Sequence, residues 1–143
     1  MAAGRGAGDP GGAQPRAGAD GGAQRQHHAG RQGRTEDILG FPVSTEPLDA
    51  LVRRSLAWIA SAERGRYFVC ANPHSLEVAR RDPFFTRAIR EADFVAPDGV
   101  GIVLASRLLG GAIRRRITGT DLFRAINARL DDEGGRRCFF LGS

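Results

Sequence analysis

The sequence has no lysine, only two cysteines and one tryptophan, and no long apolar run. All 21 basic residues are therefore arginine, a bias typical of a GC-rich genome, and the net charge of +5 permits anionic ligands without indicating nucleic acid. Cys70 and Cys138 form no zinc or disulfide pattern. A signal peptide needs an apolar run of about 7–15 residues and a spanning helix about 20, and neither is found. These absences favour a cytoplasmic protein that does not bind nucleic acid.

The first 34 residues differ sharply in composition from the rest. They hold ten of the 20 glycines and contain no Leu, Ile, Val, Phe, Trp or Tyr. Such a segment cannot bury enough apolar surface to offset its chain entropy. We therefore predict a disordered tail at residues 1–34 and a folded unit at residues 35–143. His27 and His28 fall in the tail without further ligands nearby, which favours a solvated pair over a metal site.

The periodicity of apolar residues after the tail predicts alternating helices and strands. Helical spacing predicts helices that begin near Thr45, Pro73, Asp82, Asp98 and Thr120. Short apolar runs predict buried strands at Tyr67–Ala71, Phe94–Ala96 and Cys138–Leu141, and Ile38–Val43 reads as an edge strand or an ordered opening segment. This order predicts an α/β fold with a mainly parallel sheet flanked by helices, incomplete at the C-terminus.

Ligands of such folds bind beyond the carboxyl ends of the strands, which directs attention to the loops at 70–74, at 97–101 and from Gly142 onward. Asp98 follows a predicted strand and precedes Gly99, so its carboxylate is placed to act as a general base. The same position also suits an N-cap of the next helix. Asn72 in the preceding loop offers amide donors and an acceptor to a ligand, or merely starts a turn and a helix. His74 beside it is expected to be a surface histidine.

A basic segment precedes the last predicted helix. Arg114, Arg115 and Arg116 stand ahead of Thr118–Asp121, an arrangement suited to a diphosphate because guanidinium forks and helix-terminal amides would face the same anion. A solvated basic loop that ends in a helix cap is an equally good interpretation. Gly99-Val100-Gly101 lacks the third glycine of a dinucleotide-binding fingerprint.

Five blocks in this order resemble the WecG/TagA/CpsF family of bacterial glycosyltransferases from about Ile38 to Ser143. They are Leu39–Val43, a strand ending in Asn72, Ala92–Asp93 with Pro97–Asp98–Gly99, Arg116–Asp121, and Phe139–Gly142. Members transfer N-acetylmannosamine or a related sugar from a UDP-sugar to a polyprenyl-diphosphate-linked sugar during cell-wall or surface-polysaccharide synthesis.

The resemblance implies a role for each matching residue. Asp98 would be the catalytic base, and Arg116 would offset charge on the nucleotide or lipid diphosphate. The remaining substrate-binding candidates are Cys70, Asn72, Gly99, Gly119 and Asp121. The resemblance also implies no metal or other cofactor, a UDP-N-acetylhexosamine donor, and peripheral contact with the inner face of the plasma membrane.

Two departures from the family pattern carry consequences. Cys70 stands where the family usually has Thr, which replaces a hydroxyl with a weak thiol donor. The family domain also continues beyond the position of Ser143, so the resemblance implies a fragment whose uncovered edges favour inactivity and self-association into a homo-oligomer. The alternatives are a non-catalytic α/β module that binds a nucleotide or a partner, with Asp98 and Thr120 as caps only, and a basic tail on an inert remnant.

Overall fold

The described part of the chain begins with a β-hairpin. A computed structural model of the protein describes residues 33–141. Strand β1 (Thr35–Ile38) pairs antiparallel with strand β2 (Phe41–Ser44). Leu39 and Gly40 join the strands with φ values of 57° and 86°, the left-handed conformations that a tight two-residue hairpin turn requires. The opening segment is thus ordered, as predicted, but as a paired hairpin rather than a single edge strand.

A parallel strand pair forms the centre of the domain. Strand β3 (Phe68–Ala71) runs parallel to strand β4 (Phe94–Pro97), with Phe68 opposite Phe94 and Ala71 opposite Pro97. At the amino ends of both strands, the buried carboxylate of Asp93 accepts the Tyr67 amide at 3.1 Å and pairs with Arg66 at 2.7 Å. The predicted α/β class with a parallel sheet is confirmed.

Helices connect and cover these strands. In chain order they are α1 (Leu48–Ala60), α2 (Pro73–Arg81), α3 (Pro83–Glu91), α4 (Val100–Leu108) and α5 (Gly119–Glu133). Asn72 and Asp82 cap α2 and α3, and each is followed by a proline whose fixed φ suits the first helical position. Within residues 33–141, no helix is long and apolar enough to cross a bilayer.

Two predicted helix caps were placed wrongly. Helix α1 has Pro47 rather than Thr45 at its N-cap, and Thr45 instead donates its backbone amide to the Arg34 carbonyl at 3.0 Å. Helix α5 is capped by Thr118 rather than Thr120, because Thr118 Oγ1 accepts the Asp121 amide. Both errors are shifts of two residues at a helix start: α5 offers two threonines two residues apart, whereas the N-cap of α1 makes no side-chain hydrogen bond at all.

The parallel strands separate two apolar clusters. Successive side chains of a strand point to opposite faces of the sheet. Val69 and Ala71 of β3 therefore pack toward the hairpin and helices α2, α3 and α4, whereas Phe68 and Cys70 pack toward helices α1 and α5. The result is helices on both faces of the strand pair, which fixes the direction of the polypeptide as it leaves each strand.

The predicted third strand at Cys138–Leu141 is wrong. These residues form no strand, and Phe139 and Leu141 are about nine-tenths exposed. Instead of pairing with β3 or β4, the segment rests on α5: the Phe140 ring packs edge-on against Phe123 at 5.4 Å between centroids. The loop predicted from Gly142 onward lies outside the described residues. So does the predicted tail, except for Gly33 and Arg34.

Candidate active site

The carboxyl end of β4 carries Asp98 directly beside β3. The Asp98 amide donates to the Ala71 carbonyl at 2.9 Å, which extends the strand pair by one bond. The residue is half-buried, and its carboxylate makes no hydrogen bond with any part of residues 33–141. Helix α4 begins after Gly99 without a side-chain cap. Asp98 is therefore not the helix cap that was the alternative interpretation, and its carboxylate is available for chemistry.

Gly99 adopts a backbone conformation that requires glycine. Its φ of 105° and ψ of 150° lie in a region that essentially only glycine adopts. A methyl group on Gly99 would lie 3.7 Å from Cβ of Asn72 and 3.8 Å from Cδ of Pro73. The turn after β4 thus lies next to the start of α2, and Asp98 and Asn72 occupy adjacent loops.

Asn72 has a structural role that uses one end of its side chain. Its Oδ1 accepts the Ser75 amide at 2.8 Å, while its own backbone amide donates to Ser75 Oγ at 2.9 Å. This reciprocal pair is a capping box. The Nδ2 group makes no hydrogen bond within the described chain and remains available to a ligand. His74 in the next turn is exposed, as predicted for a surface histidine.

Cys70 lies on the face of β3 that packs against α1 and α5. Its Sγ would be 3.6 Å from a methyl group on Gly119, so it reaches the first turn of α5. Burial, and secondarily the negative charge of Asp98, raise the pKa of the Cys70 thiol to about 11. The thiol is protonated at neutral pH and is therefore a weak hydrogen-bond donor rather than a nucleophile.

The chain between α4 and α5, residues 110–117, is called the arginine loop because it carries Arg114, Arg115 and Arg116. The last residue of the loop contacts the carboxyl end of β4, where the Ile117 amide donates to the Pro97 carbonyl at 2.7 Å. Arg114 turns back to donate to the Gly111 carbonyl at 2.7 Å. The exposed guanidinium groups of Arg115 and Arg116 make no hydrogen bond with the described residues.

Asp121 lies in the first turn of α5 and forms a capping box with Thr118. Its carboxylate accepts the Thr118 amide at 2.9 Å. That backbone bond and the Thr118 hydroxyl, followed by the charges of Arg116 and Arg124, hold the pKa of Asp121 below its usual value. Asp121 is therefore ionised and engaged as a cap partner, close enough to Arg116 to interact electrostatically.

A cleft of about 560 Å³ separates the arginine loop from the β2–α1 loop. Residues 44–49 form one wall and residues 112–117 the other, with Pro97 and Asp121 also lining it. Arg116 and Asp121 thus line the cleft, whereas Cys70, Asn72, Asp98, Gly99 and Gly119 group beside it at the strand ends. Pro97 joins the two groups because it lines the cleft and directly precedes Asp98.

Comparison with known proteins shows the family to which the chain belongs. The sequence profile described as "Glycosyl transferase WecG/TagA/CpsF family" matches residues 36–143. The chain belongs to this family. It is 36% identical over 80 residues to the N-acetylglucosaminyldiphosphoundecaprenol N-acetyl-beta-D-mannosaminyltransferase of Bacillus spizizenii, which covers 56% of this chain and 31% of that protein. It is 26% identical over 109 residues to the Bacillus subtilis protein of the same name, covering 76% of this chain and 42% of that one. The chain thus spans about a third to two-fifths of the relatives' length.

In this WecG/TagA/CpsF-family chain, sequence reasoning missed three residues that shape the site. Thr118 caps α5, and its spacing to Asp121 is the capping-box pattern that could have identified it. Buried Ser106 on α4 accepts the Ile113 amide with its Oγ at 3.0 Å. Glu36 accepts the Ala112 amide at 2.5 Å from 76 residues away, a contact for which the sequence gives no local signal.

No group of three or more His, Cys, Asp or Glu side chains suited to a metal ion forms among residues 33–141. The charged groups that the site offers to an anionic ligand are arginines. The expectation that no metal takes part stays a prediction.

Proposed function

We propose that the protein acts as a hexosyltransferase. It transfers N-acetylmannosamine or a related hexosamine from a UDP-sugar to a polyprenyl-diphosphate-linked sugar in cell-wall or surface-polysaccharide synthesis. Support comes from the family membership and from the names of the two relatives, which describe a mannosaminyltransferase acting on a diphosphoundecaprenol-linked acceptor.

The hydrogen bond between Ile117 and Pro97 is the observation that carries this proposal. Ile117 follows Arg116, and Pro97 precedes Asp98, so one 2.7 Å backbone bond joins the end of the strand before Asp98 to the loop residue after Arg116. Sugar transfer from a nucleotide needs both a base for the attacking hydroxyl and a cation for the departing diphosphate.

In the proposed reaction, the carboxylate of Asp98 accepts the proton of the acceptor hydroxyl as that oxygen attacks the anomeric carbon of the donor sugar. The bond from the anomeric carbon to the diphosphate oxygen breaks, and UDP leaves with the electron pair of that bond. Arg116 stabilises the added negative charge on the diphosphate. Because the hydroxyl attacks opposite the leaving group, the configuration at the anomeric carbon inverts.

The other candidate residues are assigned supporting roles. The unoccupied Nδ2 donor of Asn72 faces the sugar, and Gly99 keeps the neighbouring loop close to it. Gly119 leaves space beside Cys70 for the substrate, and the protonated thiol offers a weak hydrogen bond. Asp121 orders the first turn of α5 next to Arg116.

The proposed acceptor places the protein at the cytoplasmic face of the plasma membrane. A polyprenyl chain is held in the bilayer, so a transferase that uses it must reach the membrane surface. The outer face of α4 supports this contact, since Val100 and Leu108 are 68% and 79% exposed there. The same exposed apolar side chains support self-association, the homo-oligomer that the sequence predicted.

Titration with UDP-N-acetylmannosamine tests the proposal. We expect saturable binding that Arg116→Ala weakens by about 10- to 100-fold, because a charge-assisted contact to the diphosphate is lost. Arg129→Ala is the matched control, an exposed arginine of α5 outside the cleft, and should change the affinity by less than about twofold. Equal binding by wild type and Arg116→Ala would contradict the proposal and favour a non-catalytic binding module.

A further inference from the structure

Five backbone amides of the arginine loop donate to the rest of the domain, and those of Gly110 and Gly111 bond the carbonyls of Arg107 and Ser106 in α4. Ile117 donates to the Pro97 carbonyl at the strand edge. Ile113 donates to Ser106 Oγ of α4 at 3.0 Å, and Ala112 donates to Glu36 Oε2 of β1 at 2.5 Å. Ser106 belongs to the helix that directly precedes the loop, and Pro97 ends the strand before that helix. Glu36 is the distant acceptor, and it is charged.

The surroundings of Glu36 are shaped to admit its carboxylate. The carboxylate of Glu36 occupies the space that a Cβ on Gly111 would fill, so a side chain at position 111 would displace it. Oε1 of Glu36 is buried and makes no hydrogen bond with the described residues. Burying a carboxylate oxygen without a partner carries a desolvation cost. Within the described residues, the hydrogen bond that this carboxylate makes is the one to its Oε2 from the Ala112 amide.

The position of this contact explains what it does. Ala112 lies two residues before Arg114, on the side of the loop away from the strand edge, and both Ala112 and Arg116 line the cleft. Ser106 holds Gly111 and Ile113 to α4, and Pro97 holds Ile117 to β4. Glu36 adds an attachment to β1 at Ala112, the residue of this cleft wall that lies farthest along the chain from Ile117.

We infer that Glu36 is a positioning residue that holds the arginine loop against the cleft. It touches no substrate and acts through the Ala112 amide. The expectation that losing this contact weakens diphosphate binding rests on the proposed function. The contact itself does not.

Two substitutions of Glu36 separate an acceptor role from a general packing role. Glu36→Gln keeps a carbonyl oxygen that can accept the Ala112 amide, whereas Glu36→Leu removes the acceptor at similar volume. Thr35→Val, an exposed change on the same strand, is the control. Amide hydrogen exchange at Ala112 reports on the contact in the absence of ligand, and UDP titration reports on the arginines.

We expect Glu36→Leu to speed exchange at Ala112 by about tenfold and to weaken UDP binding by a similar factor. Glu36→Gln and Thr35→Val should stay within about twofold of wild type in both measurements. Unchanged exchange at Ala112 in Glu36→Leu would overturn the inference, as would Glu36→Gln behaving like Glu36→Leu. A wild-type chain that binds no UDP would contradict the proposed function instead, and the exchange rates would still decide whether Glu36 holds the loop.

Discussion

Replacing Asp98 with alanine separates the two roles that its position allows. A helix-capping aspartate accepts backbone amides of the first turn, and its loss destabilises the fold. The Asp98 carboxylate accepts no such bond, and α4 starts after Gly99 without a side-chain cap. Its removal should therefore leave the folded state almost as stable as before.

Asp82 provides the matched control within the same chain. Its Oδ1 accepts the amides of Phe84 at 2.9 Å and Phe85 at 3.1 Å at the start of α3. Loss of such a cap typically costs about 0.5–2 kcal/mol. We expect Asp82→Ala to lower the free energy of unfolding by about 1 kcal/mol and Asp98→Ala to change it by less than about 0.5 kcal/mol. Urea denaturation followed by circular dichroism measures both.

The catalytic role is tested with Asp98→Asn, which keeps the shape of the side chain but cannot accept a proton. A positioned general base contributes about 100- to 10,000-fold to a reaction, or about 3–5 kcal/mol of activation free energy. We expect transfer, measured as UDP released in the presence of a polyprenyl-diphosphate-linked sugar, to fall by that factor while UDP-sugar binding persists. A fully active Asp98→Asn variant would remove Asp98 from the mechanism, and a stability loss in Asp98→Ala equal to that in Asp82→Ala would restore the capping role.

Two further predictions concern the strand pair. Because its pKa is raised to about 11, Cys70 should react with iodoacetamide far more slowly at pH 8 than a small-molecule thiol does. Its reaction rate should rise as the pH approaches 11. Rapid modification of Cys70 at pH 8, located by mass spectrometry, would show that the thiol is not shielded. Asp93→Ala should lower the free energy of unfolding by about 2 kcal/mol, since it removes a buried carboxylate that pairs with Arg66 and accepts the Tyr67 amide. The exposed pair of Asp49 and Arg53 is the control, and Asp49→Ala should cost less than about 0.5 kcal/mol.

Sequence patterns predicted the elements whose signals are local. Pro73 and Pro83 follow Asn72 and Asp82, a cap followed by a proline, and both helices start there. The apolar runs before Asn72 and Asp98 became the two parallel strands. Cys138–Leu141 has an equally apolar run but no strand beside it, and pairing depends on a neighbour that the run itself cannot specify.

The same distinction between local and distant contacts applies to the candidate site. Asn72 and Asp98 could be placed together from the sequence, because the carboxyl ends of neighbouring parallel strands meet at one edge. The cleft could not, because its second wall is the β2–α1 loop, and the position of that loop depends on the hairpin packing against β4. The contact between Glu36 and Ala112 likewise depends on where β1 lies relative to α4.

The alternation of side chains along β3 limits which changes in chain length this domain can accept. Cys70 and Ala71 face opposite apolar clusters, and Asn72 follows directly at the strand end. Inserting or deleting one residue in β3 would send each following side chain to the opposite cluster and displace Asn72 from Gly99. Replacing one residue with another of similar size, such as a threonine with Cys70, changes neither the direction of the following side chains nor the position of Asn72. Related chains should therefore differ in the identity of the residues along this strand far more readily than in their number.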